Sequence, residues 1–268
     1  ALLAWARAER LILAGDPCQL PPTVVSPEAE RQGLGISLFE RLLETHADVG
    51  LMLREQYRMH ETLIRFPSDV MYGGALRAAP AIATHTLADV LPAGADLDAL
   101  DVPPLVFVDT AGMGFDEEKP ESVLSFQGSL CNRGEADIIL RRVEELVGAG
   151  LTPAELGVIA PYRAQARHLR EALAEHLPEV EVDTVDAFQG REKDAILLTL
   201  TRSNDAGSLG FLTDRRRMNV ALTRARRHLF IVGDSGTVGA DPFFERLLAH
   251  VEAAAGYRSG WAWRAAPA

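Results

Sequence analysis

Four short segments gather side chains suited to a phosphorylated ligand. In Gly15-Asp16-Pro17-Cys18-Gln19-Leu20-Pro21-Pro22, one glycine and three prolines stiffen a loop that presents Asp16 and Gln19 at a fixed point. A glutamine amide can hydrogen-bond a terminal phosphate or orient a water, as it does in nucleotide hydrolases; a plain proline-stiffened turn is the competing account. In Gln56-Tyr57-Arg58-Met59-His60, Arg58 offers a forked donor for phosphate oxygens and Tyr57 a flat face for a base. For that pentapeptide alone, an exposed arginine beside a core aromatic is the simpler account. The segment 184–194 combines the Thr184 hydroxyl, the Gln189 amide, Gly190 for close approach of a ligand, and the Glu192 carboxylate, which can hold ribose hydroxyls. Residues 215–227 carry six arginines in thirteen positions. On the helix predicted there, Arg217 and Arg224 share a face. Asn219 and Thr223 accompany them, which a merely solvated basic face does not require.

These segments need rigid elements to position them. Short apolar runs predict strands at 11–14, 49–53, 105–109, 157–160, 180–184, 195–200 and 229–233. Helical spacing predicts helices over 36–46, 59–71 (despite Pro67), 133–148, 162–176, 215–226 and 241–254. Strands that read as continuous apolar runs are those buried on both faces, so the expected class is α/β with a doubly wound parallel sheet. Open sheets of this kind place their sites beyond the carboxyl ends of the strands, and the four segments are expected there. Residues 73–103, rich in Ala, Gly, Pro and Asp, read as an irregular surface insertion, and 257–268 as a frayed tail.

Composition narrows the function. The 268 residues carry 38 acids against 27 bases, a net charge of −11, and Lys119 and Lys193 are the two lysines. A global basic coat for nucleic acid is thereby excluded, so any strand contact is confined to a local cleft. Cys18 and Cys131 form no CxxC or Cys/His cluster, which argues against a zinc site and fits a reducing cytoplasm. No run of 18 apolar residues is present, so no membrane partner is expected. The opening Ala1-Leu2-Leu3-Ala4-Trp5-Ala6-Arg7 has no signal layout and reads as a cut inside a longer protein.

Taken in order, GDPCQLPP, LREQYRMH, TVDAFQGREKD and RRRMNVALTRARRHLFIVGD resemble motifs III, IV, V and VI of superfamily 1 helicases, most of all the Upf-like group. Ala160-Pro161-Tyr162-Arg163-Ala164-Gln165 resembles that group's accessory nucleic-acid-contacting segment. The resemblance runs from about residue 9 to residue 250. It implies two RecA-like domains, of the P-loop nucleotide-hydrolase type, with ATP and Mg²⁺ held between them. Residues 1–48 would be the end of the first domain, 49–256 the second domain without a phosphate-binding loop of its own, and 257–268 a tail. The resemblance further implies that Gln19 senses the γ-phosphate, with Asp16 beside it, and that Arg58 and Arg224 act as arginine fingers. It places Tyr57 on the base and Glu192 on the ribose. Pro161, Tyr162, Thr184 and Gln189, with Ser203 and Asn204 as neighbours, would line a track for single-stranded DNA or RNA. Travel from 5′ to 3′ is inherited from the same group. A motor of this class needs G-x-x-x-x-G-K-[ST] and an acidic motif for Mg²⁺, and this sequence has neither. The chain is therefore expected to begin between motifs II and III, with the metal ligands in the missing first domain and no metal site here. Two functions stay in play: the C-terminal motor half of an ATP-driven cytoplasmic helicase, inactive alone, or a non-catalytic nucleic-acid or protein adaptor.

Overall fold

The computed structural model describes residues 7–119 and 129–263. The expectations for residues 1–6 and 264–268 lie outside the described residues. The chain divides between Arg54 and Glu55 into two compact units, six residues beyond the division expected from the motifs.

In the first unit the one longer helix is α1, Leu38–Thr45, started by Ser37, whose Oγ accepts the Glu40 N–H at 3.1 Å. Residues 11–14 do not form the expected strand, and Ile12 is 94% exposed. Among the described residues of this unit no strand exists to accept its backbone groups, and an apolar run becomes a strand only with a partner. The strand expected at 49–53 is likewise absent: Ala47–Val49 is a 3₁₀ turn, and Leu51 and Leu53 face solvent.

The second unit is built on strands β3 (Leu105–Asp109), β4 (Leu156–Ala160), β5 (Glu181–Thr184), β6 (Lys193–Thr199), β7 (Ala225–Gly233) and β8 (Tyr257–Ser259). They form one parallel sheet in the order β5-β4-β6-β7-β3-β8. A separate short pair joins β1 (Glu55–Gln56) to β2 (Arg77–Ala78). Register lines Val182, Val158, Leu197, Phe230 and Val106 across one face. There they meet Ala136, Ile139, Val143 and Leu169 from α3 (Arg133–Gly148) and α4 (Arg163–Leu173). The alternate residues Ile159, Leu198, Ile231 and Phe107 are buried toward the opposite face. Helices α2 (Glu61–Met71), α5 (Arg215–Leu222) and α6 (Pro242–Ala253) pack as the second layer. Each large apolar side chain so buried contributes ~1.5–3 kcal/mol. The doubly wound parallel α/β sheet expected from the sequence is therefore present.

The helix ends follow from caps. Asn132, His60, Asp214 and Asp241 accept N–H groups at the starts of α3, α2, α5 and α6, and Pro242 sits at the first position of α6. Helix α5 stops at Leu222 instead of reaching 226. The Thr223 hydroxyl donates to the Asn219 carbonyl at 2.7 Å, and Ala225 is already paired with Lys193 in the sheet. Consequently Arg224 is not on a helix face shared with Arg217. Residues 73–103 are irregular as expected but anchored: Ala79 and Leu87 are fully buried, and Leu87 joins the main core. The frayed tail is corrected in part, since Tyr257–Ser259 pairs with β3.

Candidate nucleotide and nucleic-acid edges

In the first unit, Asp16 Oδ1 accepts the Cys18 N–H at 2.9 Å and Oδ2 accepts Gln19 Nε2 at 2.9 Å. Asp16 thereby fixes the plane of the Gln19 amide, and its carboxylate acts on its own loop.

In the second unit the candidate residues fall on two opposite edges of the sheet, not all at the carboxyl ends. Segment 184–194 leaves β5 at its carboxyl end and enters β6 at its amino end. Phe188, fully buried within it, packs against Gly157, where a Cβ would stand 2.9 Å from the ring. Gly190, at φ +84°, makes the turn that follows. Thr184 therefore lies toward one edge and Glu192 toward the other, with Gln189 on the exposed stretch that crosses between them.

At the amino edge, Gln56 braces the loop from β1 to α2. Its Oε1 accepts the N–H groups of Arg58 and Met59 at 2.8 Å each, and its Nε2 donates to the Met59 carbonyl. The His60 N–H ties the same loop to the Arg226 carbonyl of β7 at 2.9 Å. So held, Arg58 donates through Nε to Glu192 and through Nη1 to the Thr223 carbonyl at 3.0 Å. Glu192 Oε1 takes a second guanidinium, Arg226 Nε, at 3.1 Å. Burial pushes the Glu192 carboxyl up, but the bonds and charges of Arg58 and Arg226 outweigh it and hold it below the usual carboxylate range. Tyr57 is 70% exposed, as a base platform must be, with its hydroxyl on Glu55. Arg224 is 1% exposed and turned inward: Nε donates to the Val220 carbonyl at 2.8 Å and Nη2 to the Thr223 hydroxyl at 2.9 Å. In this state it closes the end of α5. Arg58, Glu192 and Arg224 are thus brought to one edge, and the bracing by Gln56 and His60 is what sequence reasoning missed.

At the carboxyl edge, Pro161 and Tyr162 are buried, against the expectation that they line an open track. The Tyr162 hydroxyl accepts from Arg202 Nη1 at 3.0 Å. Glu117 pairs with Arg202 and accepts from Ser203 N and Asn204 Nδ2 at 3.0 and 3.1 Å. Ser203 Oγ donates to Asp234 at 2.8 Å. Gln189 is exposed, and Thr184, Ser203 and Asn204 are half-buried. Beneath this edge lies fully buried Glu135, whose Oε2 accepts from Thr199 Oγ1 at 2.5 Å and Thr201 N at 2.8 Å. Thr201 is held at φ +68°, an uncommon conformation for a branched residue, and it aims the following Arg202-Ser203-Asn204. Burial pushes the Glu135 carboxyl up to about 8. No sequence signal separates this glutamate from the other acids of α3.

Among the described residues no group of three or more His, Cys, Asp or Glu is placed to hold a metal ion, and no helix is long and apolar enough to cross a membrane. The side chains of the amino edge fit a nucleotide in kind: an exposed aromatic face, guanidinium groups and one carboxylate.

Comparison with known proteins adds an independent line. The family described as AAA domain matches residues 34–236. A rat protein named DNA-binding protein SMUBP-2 is 46% identical over 243 residues, covering 90% of this chain and 24% of that protein. The DNA polymerase alpha-associated DNA helicase A of Schizosaccharomyces pombe is 40% identical over 246 residues, covering 91% and 36%. An Arabidopsis thaliana regulator of nonsense transcripts 1 homolog is 37% identical over 251 residues, covering 90% and 19%. The chain spans about a fifth to a third of the length of these relatives.

Proposed function

Since the chain belongs to the AAA domain family, within the Upf-like superfamily 1 helicases, we propose that it is the C-terminal motor half of an ATP-dependent DNA or RNA helicase. One observation carries the reading. At the amino edge Glu192 is clamped between Arg58 and Arg226, while Arg58 bonds the carbonyl of Thr223, the residue before Arg224. This gathers two candidate phosphate-binding arginines and a ribose-binding carboxylate on one rigid wall. A structural cluster alone has little use for the exposed Tyr57 ring beside them.

In this reading Tyr57 stacks on the base, and Glu192 exchanges Arg58 for the ribose hydroxyls. Arg58 is thereby released to the γ-phosphate. Arg224 leaves the Val220 carbonyl and the Thr223 hydroxyl to become the second finger, where its charge acts on the transition state. Gln19 supplies a γ-phosphate contact with its amide held by Asp16. ATP would supply the phosphoryl group whose loss drives the cycle, and Mg²⁺ would be held by residues of the first RecA-like domain. Residues 1–48 belong to that first domain, and 49–256 form the second. Thr184, Gln189, Ser203 and Asn204 line the strand track at the opposite edge, with Pro161 and Tyr162 supporting it from beneath.

The competing reading, a non-catalytic adaptor, draws on the burial of Arg224. Phosphate release with saturating single strand separates the two. The 268-residue chain alone is expected to show none. The same chain joined to a domain carrying the phosphate-binding loop and acidic motif is expected to turn over in a strand-stimulated way. Absence of strand-stimulated turnover in the joined protein would favour the adaptor. Turnover by the chain alone, abolished in Arg224→Ala, would instead reveal a complete catalytic centre here.

A further inference from the structure

Tyr162 cannot stack on a base as it stands. It is 2% exposed, and its hydroxyl accepts from both Arg202 Nη1 and the Phe211 N–H, the latter at 3.3 Å. The aromatic that faces solvent beside it is Phe211, 51% exposed, with its ring centroid 5.1 Å from that of Tyr162. Phe211 is built into place. It rides on the 3₁₀ turn Gly210–Thr213, whose next residue, Leu212, is fully buried and pins the turn to the core. The turn approaches Tyr162 and Arg202 so closely that a Cβ at Gly210 would lie 2.4 Å from the Tyr162 hydroxyl and 2.4 Å from Arg202 Nη1. That glycine is also at φ +54°. The guanidinium of Arg217 stands 5.5 Å from the Phe211 ring centroid, and it pairs with two carboxylates: Asp186, in the loop that follows Thr184, and Asp214 at 3.5 Å. Phe211 therefore sits where the loops after β4, β5 and β6 converge, continuous with the proposed track.

Resting on that track reading, we infer that Phe211 is the stacking platform of the carboxyl edge, taking an unpaired nucleobase against the solvent-exposed part of its ring, with Tyr162 as a positioning residue behind it. The physical case has three parts. An exposed rigid ring stacks on any base with little loss of conformational freedom, and such contacts tolerate sequence. Phe211 is held on one side by Tyr162 and the Gly210 turn, so its orientation is set before a strand arrives. Arg217 supplies the accompanying positive charge on a chain of net −11; its pairing with half-exposed Asp186 is exchangeable for a phosphate, while Asp214 stays beside it. The occupant is single-stranded nucleic acid, because a flat unpaired base beside a guanidinium matches both features of the site.

The test compares the 268-residue chain and its variants on fluorescein-labelled oligo(dT) and on an abasic strand with the same number of phosphates, by anisotropy. Wild type should bind oligo(dT) more tightly than the abasic strand. Phe211→Ala should lose about tenfold on oligo(dT), within the ~5- to ~150-fold range for removing a base–aromatic stack, and little on the abasic strand. Phe211→Trp should restore most of the loss, which a merely structural role for the benzyl group at a half-exposed site would not require. Unchanged oligo(dT) affinity in Phe211→Ala, or an equal loss on both strands, overturns the inference while leaving the track reading standing. If wild type binds neither strand, the track reading fails and the inference falls with it.

Discussion

At the amino edge of the sheet, Glu192 lies between two guanidinium groups and is held ionised below the usual carboxylate range. At the carboxyl edge, Glu135 is buried among neutral donors from Thr199 and Thr201, and burial pushes it up to about 8. The first is a solvent-reachable charge already paired with the groups it would exchange for a ligand. The second is an interior brace that sets the backbone beneath a surface loop. A nucleotide-gating edge needs charges that can change partners, and a strand-holding edge needs a fixed path. On the function proposed above, the difference between the two glutamates would follow that division.

The largest effect that can break this comparison is catalytic. In the chain joined to a domain with the phosphate-binding loop, Arg224→Ala should lower steady-state turnover by ~10³-fold or more while leaving oligo(dT) affinity within about twofold. A turnover loss below tenfold, or an equal loss of strand affinity, would dissolve the functional separation of the edges.

Next in size is a pH effect whose sign differs between edges. The folded pKa of Glu135 lies above its ordinary value, so its stabilisation is complete below about pH 4.5 and is lost as pH rises toward 8. Thermal melts should show wild type losing on the order of 2–4 kcal/mol between pH 5 and 8 from this group, and Glu135→Gln should flatten that decline. Glu192 runs the other way: its contribution is present above the ordinary carboxylate pKa and is lost on acidification through its depressed value. Glu135→Gln melts that decline as steeply as wild type would remove the brace from the account.

A smaller effect sharpens the electrostatics of the strand edge. A log–log salt series of oligo(dT) affinity should give about two to four phosphate contacts at a slope of roughly −0.7 each. A slope implying eight contacts would mean a basic surface that the net charge of −11 disfavours. The smallest expected change is in stability at the amino edge. Glu192→Gln should cost less than about 1 kcal/mol at pH 7 by chemical denaturation, because its partners remain partly solvated and have other acceptors. A cost of several kcal/mol would make the cluster a structural staple.

Much of the sheet was legible because its strands are apolar on both faces: 105–109 and 229–233 read as buried runs and lie within the observed β3 and β7. Helix 133–148 matched to the residue, since Asn132 caps it and Ala149-Gly150 end its amphipathic pattern. Runs such as Leu11–Ala14 misled because an apolar tetrapeptide does not state whether a neighbour strand is there to pair with it. The end of α5 misled because the Thr223 side chain closes the helix while its sequence still looks helical. Which edge each site residue occupies was hidden for a topological reason: 184–194 crosses from one end of the sheet to the other within eleven residues. The presence of the arginines and Glu192 was readable, but the burial of Arg224, Pro161 and Tyr162 was not, because burial depends on packing partners distant in sequence.

Strand β7 begins at Ala225, directly after Arg224, and ends at Gly233, directly before Asp234. It is the longest strand of the sheet, it is paired with β6 apart from an irregularity at Arg226–Arg227 and with β3 over Leu229–Gly233, and it spans roughly 26 Å at ~3.3 Å per residue. Packed interiors compress little, so β7 acts mechanically as a connecting rod. Over the stretch held on both sides, Leu229–Gly233, a displacement would reach Asp234, and so Ser203, with little absorbed on the way.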